Sequence, residues 1–228
     1  MAEDKLAPRI IESGDGSHTL RVDALNENYH SHKGAIRESM HVFIRMGLEA
    51  IQKSNIRILE VGFGTGLNAL LSALNAGEKH VHYTSLETYP LDASITEKLN
   101  YVHQIDDERA PIIFEALHQA PWNESTQITD QFQLEKRHTS LQAFEPKAKF
   151  DLIYYDAFAP HAQPELWEPV IWEKLYAMMS AGAVLVTYCA KGQVRRDMQS
   201  AGFWVERLEG PPGKREMMRA MKPMTQHE

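Results

Sequence analysis

The stretch that most constrains the fold of this chain is residues 57–68, which read RILEVGFGTGLN. The apolar run ILEV predicts a buried strand, and the run LNALLSALNAG after the glycines predicts a helix. Glycines in such a turn remove the β-carbons that would keep a ligand away from the backbone, and the start of the helix presents unpaired amide groups. The stretch therefore predicts a strand, a turn and a helix that bind a nucleotide-like ligand. The three glycines are Gly62, Gly64 and Gly66.

The spacing of these glycines distinguishes between classes of nucleotide. A dinucleotide-binding fingerprint places its third glycine at position 67, where this chain has Leu67. The G-x-G-x-G spacing therefore suits S-adenosylmethionine better than the pyrophosphate of a dinucleotide. A tight turn without a ligand is the alternative interpretation.

The end of the next predicted strand provides a second test. Residues 81–86 predict that strand, and Glu87 ends it about 20 residues after Gly66, which is the spacing of a nucleoside-binding βαβ unit. A carboxylate there accepts hydrogen bonds from both ribose hydroxyls. The two signals together favour a bound nucleoside over the ligand-free turn.

Length and composition fit one domain. A chain of 228 residues is long enough for one well-buried core and too short for two generous domains, so we expect residues 1–228 to form a single domain. The N-terminus has no signal-peptide pattern, and no run approaches the roughly 18 apolar residues of a membrane span, which predicts a cytoplasmic protein without a membrane partner. One cysteine and eleven histidines without ligand spacing predict no metal site.

The charge of the chain is unevenly distributed. The formal net charge is −7, yet the segment from residue 191 to the end carries eight basic and five acidic residues. A local basic surface on an acidic protein can steer one polyanion towards it. Ordinary solvated charge accounts for the same residues equally well.

The remaining chain alternates predicted strands and helices. A hairpin at residues 8–23, which turns at an Asp-Gly pair, and an amphipathic helix at 34–53 form an N-terminal extension, residues 1–55, packed on the core. This alternation predicts a doubly wound α/β sheet that ends in an antiparallel hairpin. The further strands are predicted at 131–137, 150–155, 183–188, 203–208 and 215–221, the further helices at 91–102, 107–119, 164–179 and 191–201, and a loop at 120–130.

Asp156 is the strongest candidate for a catalytic residue. It follows the buried strand predicted at 150–155, and ligands of such sheets lie beyond the carboxyl ends of the strands, where the strand order reverses. The pattern D-x-F-x-P supplies a carboxylate that can orient an amine and a loop stiffened by proline. A loop or helix-capping aspartate is the alternative.

Three segments of the sequence resemble one known family. They are ILEVGFGTGLN, YDAFAP followed by PELW, and YCAKGQVRRDMQSAGFWVERLEGPPGKREM. Together they are similar to the tRNA 5-methylaminomethyl-2-thiouridine methyltransferase family, which comprises the methyltransferase domain of MnmC and the stand-alone MnmD, over nearly the whole chain. The resemblance implies a Rossmann-like class I methyltransferase fold. It also implies transfer of a methyl group from S-adenosylmethionine to 5-aminomethyl-(2-thio)uridine at the tRNA wobble position.

The bifunctional relatives also carry an FAD-dependent oxidase half, for which we expect no room in 228 residues. We expect the anticodon arm of tRNA to be the macromolecular partner. Two rival interpretations remain open: methyl or aminopropyl transfer to a small-molecule amine, and a non-enzymatic S-adenosylmethionine-binding subunit.

The predicted site residues fall into three groups. The cofactor residues include Glu60 for the ammonium of the methionine end and Glu87 for the ribose. Three loop residues of the N-terminal extension and an aromatic residue after Asp156 are expected near the substrate. Basic residues of the last segment are expected to contact tRNA phosphates. The predicted cofactor residues are Glu60, Gly62, Gly64, Gly66, Asn68, Glu87, Thr139 and Asp156. The predicted substrate and tRNA residues are Tyr29, His30, Ser31, Phe158, Lys191, Arg195, Arg196, Lys214 and Arg215.

Overall fold

Residues 8–224, the part of the chain that this computed structural model describes, contain eleven strands and seven α-helices. The strands are β1 (Arg9–Glu12), β2 (His18–Val22), β3 (Glu27–Asn28), β4 (Asn55–Val61), β5 (His80–Glu87), β6 (Ser125–Thr129), β7 (Phe132–His138), β8 (Phe150–Tyr155), β9 (Met179–Thr187), β10 (Trp204–Glu209) and β11 (Glu216–Met221). The α-helices are α1 (Ala35–Ser39), α2 (Leu67–Leu74), α3 (Ala93–Thr96), α4 (Tyr101–Gln104), α5 (Ala110–Gln119), α6 (Pro169–Met178) and α7 (Gly192–Ser200).

The strand before the glycine turn lies near the centre of an eight-stranded sheet of order β10-β11-β9-β8-β4-β5-β7-β6. The five strands from β9 to β7 are parallel to their neighbours, whereas β11 is antiparallel to β9, β10 to β11, and β6 to β7. From β4 the chain builds outwards through β5 and β7 and then returns to the other side of β4 for β8. The doubly wound sheet and its antiparallel closing hairpin are confirmed, and the strand order reverses between β4 and β8.

The burial of β8 shows that helices cover the sheet on both faces. All six residues of its sequence FDLIYY are buried, which is typical of a parallel strand between two layers of helices. Leu152 and Tyr154 pack into the core on the α2 and α5 face, and Ile153 and Tyr155 pack into the core on the α6 and α7 face. The side chains of β8 thus alternate between two cores, and its last residue delivers the chain to position 156 at the edge of the sheet.

The N-terminal hairpin forms as predicted within a separate three-stranded sheet of order β1-β2-β3. Asn100, which lies between α3 and α4, connects this sheet to the helical segment that follows β5. The His18 N–H donates to Asn100 Oδ1 at 2.7 Å, and Asn100 Nδ2 donates to the Gly16 carbonyl at 2.8 Å. These bonds hold the hairpin beside the helices that follow β5, and the loop after it therefore reaches the carboxyl ends of the strands.

The helix predicted at residues 34–53 is shorter than expected. It begins with α1, continues as a π-helical segment over Met40–Arg45, and is followed by a 3₁₀ turn at Leu48–Ala50. Gly47 interrupts it, and a β-carbon there would lie 2.4 Å from the Phe43 carbonyl oxygen and 3.2 Å from Tyr154. The close approach of this segment to the sheet, which periodicity does not reveal, therefore ends the helix. None of the helices in residues 8–224 is both long and apolar enough to cross a membrane.

Three other predicted boundaries were wrong. Residues 120–130, predicted as a loop, contain β6, an edge strand whose sequence STQIT has one apolar residue and so gives little strand signal. The helix predicted at 91–102 is split into α3 and α4. The helix predicted at 164–179 is a 3₁₀ turn at Pro164–Leu166 followed by α6, because a second proline, Pro169, starts a new helix.

Candidate functional site

Two adjoining cavities open at the carboxyl ends of β4, β5 and β8. We call the first the glycine-loop cavity, because residues 62–65 line it together with the ends of β5 and β7. We call the second the Lys214 cavity, because residues 26–33 and Lys214 line it. Both cavities lie at the reversal of strand order, where the fold predicts a ligand site. The residues that line both of them are Tyr29, His30, Asp156, Ala157 and Phe158.

The glycine turn shapes the floor of the first cavity. The Gly62 N–H donates to the Leu86 carbonyl at 2.9 Å, so the turn stays bonded to the end of β5. Gly62 and Gly64 line the cavity with φ angles of 95° and 50°, which favour glycine. Gly66 does not line the cavity, because a β-carbon at this position would instead meet His118 Nε2 at 3.1 Å. Two glycines therefore leave room for a ligand and the third leaves room for packing.

Glu87 connects the end of β5 to the glycine turn. Its Oε2 accepts the Gly64 N–H at 3.0 Å and its Oε1 accepts the Tyr89 N–H at 2.8 Å, while burial raises its pKa. The Thr139 N–H donates to the Glu87 carbonyl at 3.1 Å, which brings the end of β7 beside the end of β5. Glu87 and Thr139 both line the glycine-loop cavity, as predicted, next to Leu141 and Leu86.

Asp156 lies at the junction of the two cavities. Its Oδ2 accepts a hydrogen bond from Asn68 Nδ2, at the start of α2, at 2.8 Å. The pKa of Asp156 is raised to about 8, chiefly by burial and in part by the nearby Glu38 carboxylate, against the opposing effects of the Asn68 hydrogen bond and the Lys214 ammonium. A carboxyl group with such a pKa exchanges a proton near neutral pH, unlike an ordinary aspartate.

The loop that begins at Asp156 is held by two hydrogen bonds with the segment that follows it in the chain. Trp167 Nε1 donates to the Phe158 carbonyl at 2.8 Å, and the Phe158 N–H donates to Gln163 Oε1 at 3.2 Å. The Tyr188 hydroxyl donates to the Ala157 carbonyl at 2.8 Å. The tryptophan of the PELW sequence thus holds the DAFAP loop in place, and the Phe158 ring remains at the edge of both cavities.

The N-terminal loop covers the same junction from the other side. The Tyr29 ring meets the Phe158 ring edge to face, with centroids 5.1 Å apart, and burial raises the pKa of the Tyr29 hydroxyl. The His30 N–H donates to Thr19 Oγ1 at 3.0 Å, and burial lowers the pKa of His30 to about 4. His30 is therefore neutral at pH 7 and contributes shape and hydrogen bonding rather than charge.

The Lys214 cavity is held together by an ion pair that the sequence did not reveal. Glu38, whose side chain is 8% exposed, accepts the Ser31 N–H at 2.7 Å and pairs with Lys214 Nζ. Lys214 Nζ also lies 4.0 Å from the centre of the Tyr188 ring. Glu38, Tyr188 and Lys33 line this cavity but were missed by the sequence analysis. A glutamate on the inward face of an amphipathic helix was the signal available for Glu38.

The other predicted residues lie outside both cavities. Glu60 is fully buried and is absent from the lining of either cavity. Its predicted contact with the cofactor ammonium stays a prediction. Among the basic residues predicted for the site, Lys214 alone lines a cavity, whereas the others lie on or beside α7 or in the loop before β11. These others are Lys191, Arg195, Arg196 and Arg215. Within residues 8–224, no cluster of three or more His, Cys, Asp or Glu residues is arranged to hold a metal ion.

Comparisons with known proteins show what the chain is similar to. A family model described as S-adenosyl-L-methionine-dependent methyltransferase matches residues 124–223. The chain is 31% identical, over 228 residues, to the tRNA 5-methylaminomethyl-2-thiouridine biosynthesis bifunctional protein MnmC of Aromatoleum aromaticum, and 27% identical over 218 residues to that of Pseudoalteromonas translucida. These alignments cover 92% and 83% of this chain and 35% and 33% of the relatives, so the chain spans about a third of their length.

Solved structures show the same likeness. The structure of MNMC2 from Aquifex aeolicus matches with a TM-score of 0.77 at 26% identity, covering 96% of this chain and 71% of that one. Spermidine synthase from Thermotoga maritima matches with a TM-score of 0.59 at 16% identity, covering 96% and 70% of the two chains. The second match is a likeness of fold alone.

Proposed function

The chain belongs to the S-adenosyl-L-methionine-dependent methyltransferases, in the family that it shares with the MnmC proteins, and from this premise we propose that it methylates a primary amine on a tRNA wobble uridine. The acceptor would be 5-aminomethyl-(2-thio)uridine and the product 5-methylaminomethyl-(2-thio)uridine. The observation that carries the proposal is the position of Asp156, which lines both cavities at once. One cavity would hold the methyl donor and the other the acceptor amine.

The glycine-loop cavity fits S-adenosylmethionine, which supplies an electrophilic methyl group when bound. Gly62 and Gly64 line the cavity and bring the backbone to its floor, where the methionine end would lie. Glu87 would accept the ribose hydroxyls, and Thr139 with Leu141 would lie against the adenine. The chemistry of this lining, a carboxylate followed by an apolar wall, matches that of a nucleoside.

The Lys214 cavity would hold the aminomethyl uridine. The Tyr29 and Phe158 rings at the junction offer apolar faces to a base, and Asp156 offers an acceptor to the amine. The ion pair of Lys214 with Glu38 holds the N-terminal loop against the loop before β11. The cavity is thus assembled from three separate segments of the chain, and its shape depends on all three.

Asp156 would act on the proton of the acceptor amine. A primary alkylamine, with a pKa near 10 like that of lysine, is mostly protonated at neutral pH and has no free lone pair in that form. A carboxylate beside it can accept that proton and can stabilise the positive charge that grows on nitrogen as the new N–C bond forms and the S–C bond breaks. Alignment of the amine with the methyl group in line with the breaking bond supplies most of the remaining acceleration.

Basic residues around the Lys214 cavity would contact the phosphates of the anticodon arm. Lys33 lies against Gly213, so two loops bring Lys33 and Lys214 to the same rim. Arg215 and Arg196 are exposed and available to phosphate oxygens. Each phosphate contact that is lost should lower the slope of log K against log salt by about 1, so Arg196→Ala with Arg215→Ala should weaken tRNA binding and flatten its salt dependence. An unchanged slope would remove these residues from the interface.

The test of the proposed function is direct methylation of a defined tRNA. Purified protein is incubated with S-adenosylmethionine labelled in its methyl group and with tRNA that carries 5-aminomethyl-2-thiouridine, and the digested nucleosides are separated. We expect the label in 5-methylaminomethyl-2-thiouridine. The matched controls are the same tRNA with unmodified uridine and the Asp156→Asn protein, both of which should incorporate little label.

The rival interpretations give different outcomes of the same assay. Label on putrescine or another small amine, with none on tRNA, would identify a small-molecule amine methyltransferase. Binding of S-adenosylhomocysteine without label on either acceptor would indicate a non-enzymatic cofactor-binding subunit. Either result would overturn the proposed function.

A further inference from the structure

Behind Asp156 lies a group of buried polar atoms. Some of them have no hydrogen-bond partner when Glu60 is ionised, as glutamates usually are. Glu60, at the end of β4, is fully buried, and its Oε2 accepts a hydrogen bond from the Ser85 hydroxyl at 2.5 Å. Its Oε1 has no hydrogen-bond partner, and the same holds for Asn68 Oδ1 and the Tyr83 hydroxyl. The side chains of Asn68 and Tyr83 lie next to the Glu60 carboxyl. Buried polar atoms in folded proteins are nearly always hydrogen-bonded, so this group requires an explanation.

The protonation state of Glu60 explains why these atoms lack partners. An ionised Glu60 is an acceptor only, so Glu60 Oε1 and Asn68 Oδ1 would be two buried acceptors with one donor, the Tyr83 hydroxyl, between them. A proton on Glu60 Oε1 changes the count, because the new O–H donates to Asn68 Oδ1 and gives both atoms a partner. The protonated carboxyl does so while Asn68 Nδ2 keeps its bond to Asp156.

We propose that Glu60 is a neutral, protonated acid that donates a hydrogen bond to Asn68 Oδ1 and thereby positions Asp156. With its oxygen held in this way, the Asn68 amide turns its Nδ2 towards Asp156, where the bond of 2.8 Å is found. Glu60 is then a positioning residue that acts through Asn68. This role differs from the contact with the cofactor ammonium that the sequence suggested, since it needs a neutral rather than an ionised carboxyl.

The charges around Glu60 support its neutral form. The pKa of Glu60 is raised to about 8, chiefly by burial and in part by the nearby Asp156 carboxyl, against the opposing effects of the Ser85 hydroxyl and the neighbouring Asn68 and Tyr83 side chains. Tyr83 and Tyr154 face it from β5 and β8, and burial raises the pKa of both hydroxyls, so both stay neutral. Among the described residues, no lysine, arginine or histidine forms an ion pair with Glu60.

The first test needs no activity and compares Glu60→Gln with wild type in unfolding experiments. A carboxyl whose pKa is higher in the folded than in the unfolded state binds an extra proton on folding. Stability from this proton is complete below the unfolded pKa near 4.5 and is lost as the pH rises to about 8. Between pH 6 and 8 the wild-type folding equilibrium constant should therefore fall about 50-fold more than that of Glu60→Gln, with a slope of about tenfold per pH unit that flattens as the pH approaches 8. Exposed Glu78→Gln is the control and should follow wild type.

The second test separates positioning from ligand binding, and its turnover measurement rests on the proposed function. The amide of Glu60→Gln can donate to Asn68 Oδ1 as the protonated acid does, whereas Glu60→Leu cannot. We expect the dissociation constant for S-adenosylhomocysteine to stay within about threefold of wild type in Glu60→Gln, and kcat to be at least tenfold higher in Glu60→Gln than in Glu60→Leu. If the proposed function fails, the unfolding comparison still stands.

Three outcomes would overturn the proposal. A wild-type stability curve that runs parallel to that of Glu60→Gln from pH 6 to 8 would show that Glu60 is already ionised at pH 6. Loss of S-adenosylhomocysteine binding in a folded Glu60→Gln protein would show that its charge holds the cofactor. A Glu60→Gln protein that is less stable than wild type at every pH would place the proton on Asp156, with the Asn68 amide turned over.

Discussion

Replacement of Asp156 by asparagine tests the chemical role of the site most sharply, because the change removes the charge and the basicity and keeps the shape. An ordinary aspartate and an alkylammonium differ by about 6.5 pKa units, so passing the proton between them costs about 9 kcal/mol. With the pKa of Asp156 at about 8, the difference is about 2.4 units and the cost about 3 kcal/mol. The buried site therefore makes Asp156 a much better proton acceptor than an exposed aspartate.

Loss of such a positioned base typically slows a reaction by about 10²- to 10⁴-fold, and we expect kcat of Asp156→Asn to fall within that range. The assay is methyl transfer to aminomethyl tRNA under single-turnover conditions from pH 5.5 to 9.5. The wild-type rate should rise with pH from 5.5 and level off no higher than about pH 8, because the positive sulfonium beside Asp156 lowers its pKa in the complex. The rate of Asp156→Asn should continue to rise tenfold per pH unit through pH 9, as the free amine becomes more abundant.

Two results would refute the role of Asp156 as the proton acceptor. An Asp156→Asn protein with a rate within threefold of wild type would remove Asp156 from the reaction. A wild-type rate that is flat from pH 5.5 to 9 would show that the carboxyl keeps an ordinary pKa. The dissociation constant for S-adenosylhomocysteine, measured in both proteins, serves as the control, because a large change would mean that the substitution acts through the cofactor.

Three further predictions follow from the contacts of the site. Glu87→Ala should raise the dissociation constant for S-adenosylhomocysteine about 10- to 100-fold in calorimetry, since a charged hydrogen bond contributes about 1.5 to 3 kcal/mol; equal affinity would assign the ribose elsewhere. Gly64→Ala should lower the free energy of unfolding by about 1 to 3 kcal/mol, because φ is 50° and a β-carbon would lie 3.1 Å from Tyr29. Chemical denaturation measures this free energy, and an unchanged midpoint would show that alanine is not strained at this position. Lys214→Met should cost about 1 to 3 kcal/mol by leaving the Glu38 carboxylate without its cation, and the double variant with Glu38→Gln should recover part of that loss.

The sequence predicted the parts of the molecule whose signal is local. β4, the glycine turn and α2 were predicted because an apolar run, three glycines and a helical pattern are adjacent in the chain. Glu87 and Asp156 were placed correctly beside the cavity because each follows a buried strand, and parallel strands bring their carboxyl ends to one edge. The edge strand β6 was missed because its sequence is polar and its partner β7 alone determines its conformation.

The contacts between distant segments had no such signal. Glu38 and Lys214 are 176 residues apart, and nothing in either neighbourhood shows that they pair. Glu60 looked like a cofactor ligand because it precedes the glycine turn, yet alternate residues of a strand face opposite sides, and its side chain turns into the core while the turn faces the cavity. The sequence identified this residue as important but gave no indication of the group that it contacts.

The raised pKa of Asp156 and the buried proton proposed for Glu60 have one cause. Burial is the largest cause of the raised pKa of both carboxyls, and the N-terminal loop with Tyr29 and His30 lines both cavities beside Asp156. Two carboxylates this close disfavour each other's charge, so a proton on Glu60 leaves Asp156 as the group that ionises near neutral pH. If Glu60 were ionised, its charge would raise the pKa of Asp156 further and keep it protonated during the reaction. A neutral Glu60 is therefore what allows Asp156 to accept a proton from the substrate.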